Sequence, residues 1–142
     1  SLREYLGSLD EFRCSQEAKQ MSPPSGVFKW FQKHGFQFEH HILTARPMGT
    51  VSAASDWTFS HYGRWVRHFH FIPAYRASHE LPDMDNSKSN VIERIGGAEI
   101  FIDDMPNNLL EARKVVSKCL LVSQPWNREV EPIEKILGRL CA

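Results

Sequence analysis

The run Ile100-Phe101-Ile102-Asp103-Asp104 constrains this chain more than any other stretch. Three apolar residues end in two adjacent carboxylates. Met105-Pro106-Asn107-Asn108 then leads into the helical pattern Leu109-Leu110-Glu111-Ala112. A short apolar run bounded by turn residues reads as a buried strand. In an open α/β sheet such a strand delivers its last residues to the carboxyl edge, where ligands bind. Two neighbouring acids at that edge repel each other unless a cation lies between them. A hard divalent ion with oxygen ligands, Mg²⁺, meets that need. The competing reading is a solvated turn or helix N-cap, with Asp104 and Pro106 opening the next helix.

The same alternation extends along the chain. Leu2, Tyr5, Leu6, Leu9 and Phe12 recur at helical spacing, so residues 2–20 read as one amphipathic helix or two short ones. A Pro-Pro break follows, then a helix from Val27 to His34 ending at Gly35, which has the character of a C′ residue. His40 to Thr44 reads as a strand, Val51 to His61 as a helix, and Val66 to Ile72 as an alternating strand ended by Pro73. Residues 74–87 read as a polar loop. A helix from Lys88 to Ile95, closed by Gly96-Gly97, precedes the acidic strand. After it come a helix from Leu109 to Ser117, a strand from Cys119 to Val122 and a helix from Pro132 to Leu140. Strands alternating with helices predict an α/β domain with a parallel sheet covered by helices on both faces.

The chain has 142 residues, 42% of them hydrophobic, which suits one domain with one core. Lys+Arg and Asp+Glu number 17 each, so no polyanion-binding surface and no nucleic-acid polymer partner is expected. No apolar run approaches a bilayer span, and the first residues lack a signal-peptide core, so no membrane association is expected. Cys14, Cys119 and Cys141 are widely spaced and odd in number, which points to a reducing, cytoplasmic setting without disulfides, with Cys119 in the core.

Two further polar signals stand at element boundaries. Thr44 closes the first strand before Ala45-Arg46-Pro47, where a hydroxyl and nearby backbone N–H groups can hold a phosphate oxygen; a turn or cap threonine is the alternative. Lys88 opens a helix after a polar loop, where an ammonium would offset charge on a phosphoryl group; alone, it reads as a surface lysine. Thr44, Lys88 and Asp103-Asp104 together, each at a boundary that meets one rim, are more specific than any one of them.

With these residues in place, the stretch from Ile42 to Asn127 resembles the haloacid dehalogenase-like superfamily. His41-Ile42-Leu43-Thr44-Ala45-Arg46-Pro47 looks like its second motif, which binds phosphate through a Thr or Ser. The segment Lys88 to Gly96 looks like the third motif, which supplies a lysine, and Ile100 to Asp104 like the fourth, which supplies metal-binding acids. Leu121 to Asn127 is similar to the strand and loop that follow in the 5′-nucleotidase-like branch. The resemblance implies a Rossmann-like three-layer α/β/α core over residues 23–142, with residues 1–22 as a helical, cap-like segment. It implies Mg²⁺-dependent hydrolysis of a small phosphorylated substrate such as a nucleotide. Thr44, with Ala45 and Arg46, would hold the phosphoryl group, Lys88 would offset its charge, and Asp103 and Asp104 would ligate Mg²⁺.

The family's first motif, Asp-x-Asp at the end of an early strand, has no counterpart before Thr44. That motif carries the nucleophile and the acid/base. Asp83-Met84-Asp85 follows a polar stretch and reads as a loop. The family's first strand lies at the centre of the sheet, between the strands ending at Thr44 and Asp103, and its loss leaves two unpaired inner edges. The expectation is an N-terminally shortened sequence with negligible turnover of its own. The alternative is a non-catalytic pseudoenzyme that grips a phosphorylated ligand or a protein partner.

The remaining candidates have plainer readings. His68-x-His70 puts two imidazoles on one strand face, as a zinc pair needs. No third ligand at sensible spacing is evident, so the pair reads as solvent-facing histidines of an edge strand. His40 and His41 alternate faces. Arg64, Arg67 and Arg76 read as solvated, Trp30, Trp57 and Trp65 as packing residues, and Trp126 as a loop aromatic able to stack on a base.

Overall fold

The structure is a computed structural model that describes residues 1–74, 87–127 and 132–141. Asp83-Met84-Asp85, Arg76 and most of the expected polar loop lie outside the described residues. The elements run α1 (Leu2–Cys14), α2 (Gln16–Gln20), α3 (Ser25–His34), β1 (His40–Arg46), α4 (Val51–Tyr62), β2 (Val66–Pro73), α5 (Lys88–Arg94), β3 (Ala98–Asp103), α6 (Pro106–Ala112), β4 (Val116–Leu121) and α7 (Ile133–Leu140). This is the alternating order that the sequence pattern predicts. No helix among the described residues is long and apolar enough to cross a membrane.

Local chemistry sets the boundaries. Ser1 and Glu4 form a reciprocal capping box on α1. The Ser87 hydroxyl accepts from Asn90 N–H at the start of α5. Gly96 and Gly97, at φ 98° and 93°, close α5 in a backbone region that side chains disfavour, and Gly97 N–H donates to Ile92 O at 2.8 Å. Gly35 departs from its expected left-handed role. Its φ is −57°, and the chain tightens into a 3-10 turn over Gly35–Gln37. Its lack of a side chain serves packing instead, since a Cβ there would lie 2.6 Å from Trp65 Cδ1.

The helix expected over residues 109–117 is corrected: α6 spans Pro106–Ala112. Pro106 suits the first turn. Val116 pairs with Ala98 instead of continuing the helix, so the β-branched Val115-Val116 pair belongs to the approach to β4.

The described strands give an α/β arrangement with parallel pairing and a gap between β1 and β3. They form two sheets of two, β1–β2 and β3–β4. Ile92, Phe101, Leu109, Ala112 and Val116 form a buried cluster around β3, β4, α5 and α6, with Leu43 and Cys119 packed against it. An aromatic group of Phe28, Phe31, Tyr62 and Trp65 joins α3 to the end of α4 through tilted and edge-on ring contacts. Trp30 Nε1 donates to Leu137 O at 2.9 Å and so ties α3 to α7.

A cleft of about 770 Å³ lies between the two sheets. Its wall on one side is an unbroken run from Ala98 to Asp104, and on the other an unbroken run from Gln37 to Leu43. Side chains alternate along a strand, so a cavity against one strand face meets every second residue. Contact with every residue means that the cleft runs along the unpaired edges of β1 and β3. Trp30 and Phe31 of α3, Leu137 and Leu140 of α7, Ile92 of α5 and Ile95 just after it also line the cleft.

Candidate functional site

Lys88 and Asp103 meet at the cleft, although fifteen residues of sequence separate them. Lys88 Nζ donates to Asp103 Oδ2 at 2.5 Å, with the Asp103 side chain only 3% exposed and that of Lys88 13%. Met105 N–H and Asn108 Nδ2 both donate to Asp103 Oδ1, at 2.8 and 3.0 Å. The Met105 contact is a local turn bond that steers the chain from β3 into α6. The carboxylate is thus paired and hydrogen-bonded on both oxygens, which is what allows a charge to be buried here.

Asp104 is half-buried, and its side chain has no hydrogen-bond or ionic partner among the described residues. Its backbone carbonyl accepts from Asn127 Nδ2 at 2.7 Å, and the same amide nitrogen donates to Val122 O at 2.8 Å. Asn127 therefore ties the loop after β4 to the loop after β3. Trp126, beside it, is 62% exposed.

A carboxylate offers about four acceptor positions. Three of those on Asp103 are filled, so it retains one, and Asp104 retains a whole carboxylate. That is a hard oxygen donor set of the kind Mg²⁺ takes when water fills its other positions. Oxygen is the donor type that Mg²⁺ takes, and the Asp104 carboxylate is the less encumbered of the two.

Thr44 and Arg46 come together elsewhere. Arg46 Nε donates to Thr44 Oγ1 at 3.3 Å, and both line a smaller cavity of about 280 Å³ with Arg13, Lys19 and Trp57. Burial, and next the charge of Arg13, lowers the Arg46 pKa from its ordinary value. Ala45 lies between them on β1, opposite Ile72. No hydrogen bond joins the Thr44–Arg46 pair to the Lys88–Asp103 pair among the described residues.

A third polar group gathers on the β1–β2 pair. The parallel register sets His41 against His68 and Leu43 against His70. Glu39 Oε1 lies 3.2 Å from His41 Nε2 and 3.3 Å from His68 Nε2. His70 Nε2 is 3.0 Å from His41 Nδ1. Burial, followed by the neighbouring His41, His68 and Arg94, lowers the His70 pKa. His40 points to the other face, where its Nε2 is 2.8 Å from Gly35 O, and burial is the main cause of its lowered pKa. The sequence gives His68-x-His70 no third partner. The structure supplies Glu39 and His41 from the adjacent strand, and only the strand register could have announced them.

The other candidates have structural roles. Arg67 donates to the backbone carbonyls of Gly63, Arg64 and Val66, and the Arg64 guanidinium lies 5.4 Å from the Phe36 ring centroid. Trp57 Nε1 donates to Met21 O at 2.7 Å. No protein-family model, no curated protein and no solved structure matches the chain.

Proposed function

We propose that this chain carries the metal- and phosphate-binding part of a phosphate-monoester hydrolase of the haloacid dehalogenase type, with a small phosphorylated substrate and Mg²⁺. The observation that carries the reading is the buried Lys88–Asp103 pair at the end of β3, with the Asp104 carboxylate beside it. Asp104 and the remaining position on Asp103 hold the ion. When bound, Mg²⁺ draws negative charge from phosphoryl oxygens. Lys88 pairs with Asp103 at the same rim, and the bound ion would supply the positive charge that attracts a phosphate dianion.

The cleft supports the finer fold reading as well. Both walls of the cleft are unpaired edges of parallel strands, which is the setting an additional strand between β1 and β3 would need. With such a strand in place the two sheets become one parallel sheet within three layers, and the strand's carboxyl end is where the resemblance puts the attacking Asp. No Asp-x-Asp precedes Thr44 in this sequence, so turnover by these residues alone is expected to be negligible.

The experiment compares this chain with a form extended at its amino end by an apolar strand ending in Asp-x-Asp. p-Nitrophenyl phosphate turnover that appears with Mg²⁺ in the extended form, and disappears with Asp104→Asn, supports the reading. Mg²⁺ binding unchanged in Asp103→Asn and Asp104→Asn variants removes the acids from any metal role and defeats it. Thr44→Ala tests the phosphate arm separately, because Thr44 and Arg46 face the smaller cavity. A second reading, a non-catalytic domain that grips a phosphorylated ligand, is favoured by Arg13, Lys19, Arg46 and Thr44 around that cavity. Inactivity of both forms, with phosphate binding retained, selects it.

A further inference from the structure

We propose that Glu39, His41 and His68 form a Zn²⁺ site on the β1–β2 pair, with His70 orienting His41 from behind. This site is separate from Asp103 and Asp104 and has a different donor chemistry. Two imidazole nitrogens and one carboxylate suit a borderline divalent transition ion far better than Mg²⁺. The Zn–N and Zn–O bonds are about 2.0–2.1 Å, so neighbouring ligand atoms of a tetrahedral site lie about 3.3 Å apart. Glu39 Oε1 is 3.2 Å from His41 Nε2 and 3.3 Å from His68 Nε2, and the three ligand atoms all lie within 4.8 Å of one another.

The backbone accounts for this convergence. Glu39 and His41 are two residues apart and lie on one face of the β1 segment, and the parallel register brings His68 alongside His41. Without metal, His41 Nε2–H faces the accepting Glu39 carboxylate; with Zn²⁺ on Nε2 the His41 proton would sit on Nδ1 and donate to His70 Nε2, 3.0 Å away. A hydrogen bond behind a ligating imidazole is the usual means of fixing its tautomer and ring angle. Without metal the His41 and His68 rings stack, 4.3 Å between centroids and 12° apart. Parallel planes do not aim two lone pairs at one point, so coordination turns the half-exposed His68 ring about χ2, a broad and soft torsion. Solvent takes the fourth position, because all three ligands are exposed.

The test is titration of the whole chain with Zn²⁺ against a chromophoric chelator, alongside Co²⁺ absorption. The expected result is one ion per chain and a tetrahedral Co²⁺ spectrum. His41→Ala and His68→Ala should abolish both. His70→Ala should weaken Zn²⁺ binding by about 10- to 100-fold, the usual effect of losing a group that positions a ligand. His61→Ala, outside the cluster, and Asp104→Asn should leave it unchanged. Circular dichroism confirms that each variant is folded. Absence of binding in the parent chain overturns the proposal, as does binding that survives both His41→Ala and His68→Ala. Because Asp104→Asn tests only the Mg²⁺ acids, failure of one site is distinguishable from failure of the other.

Discussion

At the end of β3 one charged pair is sealed: the buried Asp103 accepts from Lys88, Met105 and Asn108. On the β1–β2 pair the ionisable groups lie open: Glu39, His41 and His68 share one exposed face. The β1–β2 and β3–β4 pairs are both parallel and two-stranded, and both border the same cleft. Burial makes the first arrangement rigid, because every displaced partner leaves a charge in a low-dielectric setting. Exposure leaves the second adjustable, since water solvates whatever the side chains release, so a ligand can reorganise it at little cost. The sealed pair is suited to preorganised charge, the open cluster to capture of an ion.

The largest effect that separates the two regions comes from breaking the sealed pair. Lys88→Met should destabilise the fold by about 3–5 kcal/mol, read as a fall in the urea midpoint, since it strands the buried Asp103 carboxylate. Lys88→Met with Asp103→Leu should recover much of that loss, and no recovery would show that the two residues act separately. On the open side, Zn²⁺ at about 100 times its dissociation constant should stabilise the protein by about 2.7 kcal/mol, read as a higher melting temperature that EDTA reverses.

Gly35→Ala probes packing near the first strand pair. The added Cβ would meet the Trp65 ring at 2.6 Å, so a loss of about 1–3 kcal/mol is expected from overpacking. A melting temperature equal to that of the parent would mean that Trp65 moves freely. The smallest effect concerns Tyr62. Burial raises its pKa above the ordinary tyrosine value, so the folded state holds the phenolic proton more tightly than the unfolded state. Its contribution is fully present below about pH 10 and is lost as pH rises through the folded value. Chemical denaturation at rising alkaline pH should show a slope that Tyr62→Phe reduces.

Much of the element order was legible because it depends on neighbours in sequence. Apolar spacing marks α1 and α7, and Gly96-Gly97 marks the end of α5. The acids after Ile102 mark the end of β3. The α6 boundary was misread because Val115 and Val116 satisfy a helical apolar pattern as well as a strand one, and only pairing of Val116 with Ala98 distinguishes them. The role of Gly35 was misread for a similar reason: a ring thirty residues away, not a turn, requires its small size.

The sequence by itself determined that helices and strands alternate, that strands pair in parallel, and that Asp103 and Lys88 stand at element ends. Those properties follow from periodicity and from the backbone preferences of adjacent residues. Tertiary structure alone decided that Lys88 reaches Asp103 while Thr44 turns to Arg46. It also decided that Glu39 and His41 complete the histidine pair of β2. The physical reason is that register and sheet membership depend on hydrogen bonds between segments remote in sequence, and no local pattern of side chains specifies which edge will meet which.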